Sequence, residues 1–213
     1  MSKQHIKRET RMKKKKYRTK AQKARMAPKE AVNVMESTPS TQYPTTEVPI
    51  LTLSAEAAKK IADLVEGDPN HECGAFLIGN LCKDKITGVC ISFVSDVYTD
   101  GKYGSGSDYE FTVDTQYKGM KYVEKNYNGE MHIIGTVHSH ANHPAFYSAT
   151  DYRMMNSGMW DQVHMVISPR YGEYVLTYKN REGMYNYSIA LQTDQKVFRY
   201  ERKNLTESDG NVY

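Results

Sequence analysis

The chain has 213 residues, of which 39% are apolar, and a formal net charge of +4, which suits one domain of ordinary size with polar extensions. No apolar run reaches the length of a membrane span, and no apolar stretch follows the cationic N-terminus as it does in a secretory signal. Three cysteines, Cys73, Cys82 and Cys90, are too few for a disulfide framework. We therefore expect a cytoplasmic protein with reduced thiols and no membrane span.

The charge is unevenly distributed along the chain. Residues 1–30 contain 13 Lys or Arg and two acidic residues, whereas the remainder contains 16 basic and 23 acidic residues. Such a segment is either an arm for nucleic acid or another polyanion, or a solvated tail. Residues 31–49 are rich in Ser, Thr and Pro, which is typical of an extended linker. We predict a basic disordered tail over 1–30, a linker over 31–49, a folded domain over 50–192 and a polar C-terminal tail over 193–213.

The first half of the domain predicts one helix and three strands. Ser54 is a candidate N-cap for a helix that ends at the turn 67–70. The predicted strands are 74–80, 89–98 and 110–113. The Gly- and Tyr-rich segment 98–109 is either a flap over an extended substrate or a floppy hairpin tip. Cys82 and Cys90 could be cross-strand neighbours.

The second half predicts two helices and several strands. One helix runs from Thr115, with an apolar face formed by Tyr117, Met120, Val123 and Tyr127. A central strand is predicted over 132–140, and a short helix over 149–157 that ends at Gly158. Three further strands follow: VHMVISP, EYVLTYK and MYNYSIAL. Six to eight strands, two main helices and one short helix predict an α/β or α+β domain with a mixed central sheet.

Two imidazoles, a hydroxyl and a carboxylate lie close together in HSHANHPAFYSATD, which follows the central strand. Alternate residues of a strand face the same side, so His138 and His140 point together and Ser139 faces away. Asp151 lies in the first turn of the short helix, where its carboxylate can turn back towards both imidazoles. Two imidazoles and one carboxylate with an open position form the ligand set of a catalytic zinc site.

A simpler interpretation exists for the same residues. Ser148 and Asp151 fit a helix N-terminal capping box, and histidines at a strand end could be half-buried and hydrogen-bonded. This interpretation has to account for all four residues separately. We therefore favour the metal site.

The pattern His-x-His, seven residues, Ser-x-x-Asp resembles the signature of the JAMM (JAB/MPN) zinc metallopeptidase family, in its prokaryotic or viral form. That family also has a glutamate at the entrance to an early strand, next to a small residue, and Glu72 before Cys73 and Gly74 matches it. The order of predicted elements is similar over roughly residues 50–190. The resemblance implies a cytidine-deaminase-like MPN architecture and leaves the basic tail unexplained.

The resemblance also implies a role for each matching residue. His138, His140 and Asp151 would bind one zinc ion. Glu72 would deprotonate the zinc-bound water and pass the proton to the leaving amine, and Ser148 would donate a hydrogen bond to the oxyanion. Family members with a complete ligand set mostly cleave amide bonds at the C-terminus of ubiquitin-like proteins. The resemblance therefore implies an isopeptidase or peptidase that acts on such a tail or a similar extended peptide.

Two other functions stay open. The basic arm suggests an adaptor module associated with nucleic acid. Some domains of the resembling family occur in phage tail proteins or act on cell-wall peptides, which gives a phage-structural or cell-wall peptidase role as a third candidate. The oligomeric state and the physiological substrate are not indicated by the sequence.

Overall fold

A computed structural model describes residues 48–83, 90–107, 109–158 and 162–205. The predicted basic tail, nearly all of the predicted linker and the last eight residues lie outside these ranges. Each helix within them is too short or too polar to serve as a membrane span.

The described residues form three helices and nine strands. The helices are α1 (Ala55–Gly67), α2 (Val113–Tyr127) and α3 (Ala149–Ser157). The strands are β1 (Ile50–Leu53), β2 (Gly74–Lys83), β3 (Cys90–Tyr98), β4 (His132–Ser139), β5 (Gln162–Ser168), β6 (Glu173–Lys179), β7 (Tyr185–Asn186), β8 (Ala190–Gln192) and β9 (Glu201–Arg202). The mixed α+β class is confirmed, as are the short helix over 149–157 and its end at Gly158.

The strands form one mixed sheet. Eight of them follow the order β7-β6-β5-β4-β2-β3-β1-β8, and β9 pairs with β6 outside this path. β4 is antiparallel to β2 and parallel to β5, so the predicted central strand is central. Its C-terminal end therefore lies between two other strands, which hold the residues after it in place.

Helix α1 covers one face of the sheet because its small and branched apolar residues fall at helical spacing. Ala57, Ala58, Ile61 and Val65 are buried in the main core cluster, together with strand residues such as Leu77. The predicted N-cap is confirmed, since the Ser54 hydroxyl accepts a hydrogen bond of 3.0 Å from the backbone N–H of Ala57.

The strand predicted over 110–113 is wrong. Thr112 is the N-cap of α2, and its hydroxyl accepts a hydrogen bond of 3.2 Å from the backbone N–H of Thr115. The β-branched and aromatic residues favoured a strand. The capping hydroxyl ends the extended segment one residue before the helix begins.

The apolar face predicted for α2 is also partly wrong. Tyr117 and Met120 are 59% and 64% exposed, whereas Thr115, Gly119 and Val123 are buried. Gly119 permits this orientation, because a Cβ atom there would lie 2.8 Å from the ring of Phe76. The helix therefore approaches β2 on its small-residue side.

The C-terminal part of the chain differs from the prediction in two ways. The strand predicted over MYNYSIAL is divided into β7 and β8. The polar tail predicted from residue 193 is wrong for its first part, because Phe198 is fully buried and packs against Tyr174 with ring centroids 5.5 Å apart. Burial of two aromatic side chains, Phe198 and Tyr200, thus holds an otherwise polar segment against the sheet.

Cys82 and Cys90 lie on neighbouring strands but face opposite sides of the sheet. Cys82 is opposite Ile91, and Lys83 is opposite Cys90. Because successive side chains alternate between faces, the two thiols point away from each other. The cross-strand cysteine pair considered from the sequence is excluded, and all three cysteines are free.

Asp96 on β3 joins the sheet to α1 and α2. Its carboxylate accepts hydrogen bonds from Lys60 Nζ (2.6 Å), Tyr122 OH (2.7 Å), Tyr127 OH and the N–H of Val97 (2.8 Å). Burial raises the pKa of this carboxyl, but the hydrogen bonds outweigh burial and lower the pKa from 3.8 to about 2.

We expect Asp96→Asn to lower the free energy of unfolding at pH 7 by about 2 kcal/mol. The folded pKa lies below the unfolded one, so the carboxylate stabilises the fold fully above pH 4 and loses this effect as the pH falls towards 2. Urea unfolding at several pH values measures the difference, which should shrink below pH 4. The control is Asp63→Asn, because Asp63 forms an exposed pair with Lys59 worth less than about 0.5 kcal/mol. A constant difference across this pH range would contradict the interpretation.

Candidate metal centre

Three potential ligands converge where β4 ends. The ligand atoms of His138, His140 and Asp151 all lie within 4.8 Å of one another. His138 and His140 alternate along the strand end and face the same side, with ring centroids 5.2 Å apart. Asp151, in the first turn of α3, turns back so that Oδ1 lies 3.0 Å from Nε2 of His138 and Oδ2 lies 3.7 Å from Nε2 of His140.

The hydrogen bonding of His140 fixes which ring nitrogen faces the cluster. Its Nδ1 lies 3.2 Å from the carbonyl oxygen of Pro144, and a carbonyl can only accept. Nδ1 therefore carries a proton, and Nε2 points towards Asp151. This is the arrangement in which a histidine binds a metal through Nε2.

Nε2 of His138 is fully buried and has no hydrogen-bond partner within the described residues. The nearest oxygen, Oδ1 of Asp151, is close enough but does not lie in a direction that suits a hydrogen bond. A buried polar atom without a partner is costly. A cation between the nitrogen and the carboxylate would supply the missing partner.

Asp151 is held as an anion. Burial raises the pKa of its carboxyl, but His138, His140 and the hydrogen bond from Ser148 together hold that pKa well below its ordinary value. The group is 7% exposed. A charged carboxylate beside two imidazoles is the state that a cation would require.

The capping box considered from the sequence is confirmed, and it helps to build the cluster. Ser148 Oγ accepts from the N–H of Asp151 at 3.2 Å, and Oδ2 of Asp151 accepts from the N–H of Ser148 at 2.6 Å. One carboxylate oxygen thus caps the helix while the other lies nearest to His138. The cap fixes the side chain that faces the histidines.

Glu72 lies two residues before β2. The antiparallel register pairs Gly74 with His138, and Glu72 lines the same cavity as His140. Glu72 is 5% exposed. Its N–H donates to Ser105 O at 2.8 Å, so the backbone of the predicted base is fixed from a separate segment.

Ser139 connects the two ends of this site. Its hydroxyl accepts a hydrogen bond of 3.0 Å from the N–H of Cys73, and its N–H donates to the Cys73 carbonyl at 2.8 Å. As predicted, its side chain faces away from the histidines, and it fixes the strand end through these two bonds. It thereby sets the position of Glu72 relative to His138 and His140.

All five predicted site residues line one cavity of about 240 Å³. The predicted members are Glu72, His138, His140, Ser148 and Asp151, and the others are Ser107, Tyr109, His143, Phe146 and Thr150. Phe146, whose ring packs edge-on against His140 at 4.7 Å, was missed although it lies inside the motif. Ser107 was not singled out, although it lies in the segment 98–109 that was considered as a flap. The roles of these residues as ligands and catalysts stay predictions.

The segment 98–109 forms one wall of this cavity. Tyr103 pairs with Cys73, and the N–H of Gly104 donates to the carbonyl of Glu72 at 2.7 Å. The ring of Tyr109 lies so close to Gly74 that a Cβ atom there would be 2.3 Å from it. The described part of the segment is therefore not a floppy hairpin tip, while its movement as a flap stays a prediction.

His164 is not part of the cluster but a packed residue of β5. Its ring is 3% exposed, and its two nitrogens lie 2.9 Å from Thr136 Oγ1 and 3.0 Å from Gln162 Oε1. Burial lowers its pKa to about 3. It is therefore a neutral core histidine.

A family model described as prokaryotic homologs of the JAB domain matches residues 54–181, more than half of the chain. The chain belongs to this family. The matched range of the JAB domain runs from the N-cap of α1 past the end of β6 and contains all five predicted site residues. The family predicted from the His-x-His motif is confirmed.

Comparisons with individual proteins add less to this assignment. No curated protein matches the chain. The solution structure of a protein from Desulfitobacterium hafniense is similar to this JAB-domain chain, with 20% sequence identity and a TM-score of 0.48. The similarity covers 68% of this chain and 94% of that one.

Proposed function

We propose that the protein is a zinc-dependent peptidase or isopeptidase. It hydrolyses an amide bond at the C-terminal tail of a ubiquitin-like protein or a similar extended peptide. The observation that carries this proposal is the convergence of two buried imidazoles and a carboxylate in one cavity with Glu72 and Ser148. Membership of the JAB family supports it.

The residues present suit zinc. Two imidazole nitrogens and one carboxylate oxygen leave a fourth position open, which is typical of catalytic zinc sites. His138 Nε2 has no other partner in the described structure, and His140 is held with Nε2 towards the cluster. A zinc ion held there would supply Lewis acidity, which activates water and polarises a carbonyl.

Glu72 is the proton carrier in this proposal. Its carboxylate accepts a proton from the attacking water and delivers it to the leaving amine, whose departure requires protonation. Its position in the same cavity as the two histidines and Asp151 supports this role. Its backbone is hydrogen-bonded to the segment 98–109, so the position of the base is fixed before substrate binds.

Ser148 is suited to stabilise the oxyanion that forms on the substrate carbonyl. Its oxygen accepts from the N–H of Asp151, which leaves its own O–H hydrogen free to donate. A donor fixed before reaction stabilises the developing charge without reorganisation. Tyr109 and Phe146 narrow the same cavity, which favours an extended peptide as substrate.

Cleavage of a tagged ubiquitin-like fusion by the full chain tests this function. We expect hydrolysis at the end of the ubiquitin-like tail in the presence of zinc. A chelator should abolish the reaction, and added zinc should restore it. Cleavage that persists in the chelator would contradict a metal-dependent mechanism.

We expect Ser148→Ala to reduce the rate of hydrolysis by about 10²-fold or more, because the oxyanion loses a donor. The same change should lower the free energy of unfolding by about 1 kcal/mol, because α3 loses its N-cap. Ser54→Ala is the matched control, since Ser54 caps α1 by the same contact far from the cavity. Equal rate losses in the two variants would show that Ser148 acts only through stability.

We propose a further role for the basic segment as an arm that binds a polyanion. Its 13 basic residues in the first 30 support this role. Deletion of residues 1–30 should abolish binding of the chain to duplex DNA or RNA in a filter-binding assay, and binding by the full chain should fall steeply with added salt. Hydrolysis of a small fusion by the truncated chain should be unchanged. Salt-independent binding would contradict an electrostatic arm.

A further inference from the structure

Three consecutive residues of the loop between His140 and Ser148 form hydrogen bonds through their backbone groups. The Ser168 hydroxyl donates to the carbonyl of His143 at 2.6 Å, and Pro144 O accepts from His140 Nδ1 at 3.2 Å. The N–H of Ala145 donates to Oε1 of Glu173 at 2.8 Å. The loop is therefore held by groups from β5 and β6, and not only by its own two ends.

Two of these contacts share one peptide group. The carbonyl of Pro144 and the N–H of Ala145 belong to the same planar trans unit, so they point in opposite directions and cannot rotate independently. Glu173 fixes the N–H end of this unit, and His140 is bound to its carbonyl end. The orientation of the imidazole is thus coupled to a carboxylate one peptide group away.

The charge of Glu173 strengthens this connection. A carboxylate that accepts from a peptide N–H forms a charge-assisted hydrogen bond, and it polarises the carbonyl at the other end of the unit. The Pro144 oxygen then becomes a better acceptor for Nδ1–H of His140. A metal-binding histidine commonly gives this proton to a carboxylate directly, whereas here a peptide group stands between them.

Lys203 completes the arrangement from a segment beyond residues 54–181, the range matched by the family. Its Nζ donates to the carbonyl of Ala145 at 3.0 Å and lies 3.8 Å from Oε1 of Glu173. Strand β9 brings it there, because Glu201 pairs with Glu173 across the sheet. Ala145 is fully buried, so both of its polar backbone groups require such partners.

We propose that Glu173 and Lys203 are positioning residues for the metal centre. Glu173 acts through the Pro144–Ala145 peptide to hold His140 as the Nδ1–H tautomer with Nε2 towards the cluster. Lys203, from the C-terminal segment, holds the carbonyl of the next peptide, Ala145–Phe146, and lies beside Glu173. The effect on metal binding rests on the proposed function. The effect on the tautomer of His140 is independent of that function.

Nitrogen NMR of the full metal-free chain with labelled histidine, at a pH where His140 is neutral, measures the tautomer directly. We expect the Nδ1–H form in the wild type and a mixture of both tautomers in Glu173→Ala. Glu173→Gln keeps an acceptor oxygen for Ala145 and should retain the Nδ1–H form. Glu201→Gln, an exposed neighbour in the same register, is the control and should match the wild type. A pure Nδ1–H form in folded Glu173→Ala would overturn the proposal.

Titration with cobalt(II) provides the second readout, through the affinity and the visible spectrum of the bound ion. We expect Glu173→Ala and Lys203→Met each to weaken binding by up to about 10-fold, and Lys203→Arg to restore it, because arginine retains a donor. The control Lys196→Met, at an exposed position, should bind like the wild type. Unchanged affinity and spectrum in Lys203→Met would overturn the role of Lys203, and this result can be obtained even if Glu173→Ala does not fold.

These outcomes can be separated from those of the proposed function. Neither the tautomer nor the cobalt affinity requires hydrolysis. A chain that binds cobalt as described but cleaves no fusion would end the peptidase proposal and leave the positioning roles of Glu173 and Lys203 intact.

Discussion

Glu72→Gln is expected to reduce the rate of amide hydrolysis by about 10²- to 10⁴-fold, the range that loss of a general base commonly costs. Glutamine has nearly the same size as glutamate but cannot take a proton from water. The backbone contacts of Glu72 with Gly104 and Ser105 do not depend on its side chain and should persist. Zinc binding should therefore stay close to that of the wild type.

Single-turnover kinetics on the tagged fusion, together with zinc content measured on the same preparations, separates these two effects. Glu130→Gln is a suitable control, because Glu130 is exposed in the turn after α2. Hydrolysis by zinc-loaded Glu72→Gln at the wild-type rate would end the proposed role of this residue. Loss of zinc in that variant would instead show that Glu72 is needed for zinc binding.

His138→Ala should abolish both stoichiometric zinc binding and hydrolysis. Removal of an outer hydrogen-bond partner of a metal ligand already costs about 10- to 100-fold in affinity, so loss of a ligand itself should cost more. Because zinc binds the folded chain, it should also raise the thermal midpoint of the wild type and leave that of the variant unchanged. Mass spectrometry of metal content and thermal unfolding with added zinc measure these effects.

His132→Ala is the matched control for this substitution. His132 lies at the start of the same strand, is exposed and lies outside the ligand cluster. It should retain one zinc per chain and full activity. One zinc per chain in His138→Ala would place the metal elsewhere.

The part of the fold near the motif follows from local signals. Ser148 and Gly158 mark both ends of α3, and the apolar residues on both faces of β4 indicate a central strand. The C-terminal segment could not be predicted in this way, because Phe198 lies in a polar stretch and is buried by contact with Tyr174, a residue distant in sequence. Local patterns do not contain such long-range packing.

In the candidate site, too, local sequence signals predict some residues, and others depend on contacts between distant parts of the chain. His138, His140, Ser148 and Asp151 lie within fourteen residues, so strand alternation and the helix cap suffice to predict their convergence. Glu72 was selected only through the resemblance to a family, since many carboxylates are available in the chain. The contacts of Glu173 and Lys203 with Ala145 were beyond reach, because they join residues 28 and 58 positions apart and end on backbone atoms, which carry no sequence signal.

X-ray absorption at the zinc edge, on the full chain loaded with one equivalent of zinc, tests most directly whether His138, His140 and Asp151 share one ion. We expect a first shell of nitrogen and oxygen at about 2.0–2.1 Å, the outer scattering of two imidazoles and no sulfur shell near 2.3 Å. The two-imidazole signal should be lost in His138→Ala. A sulfur shell from the cysteines, or an unchanged spectrum in His138→Ala, would contradict a metal centre at this site.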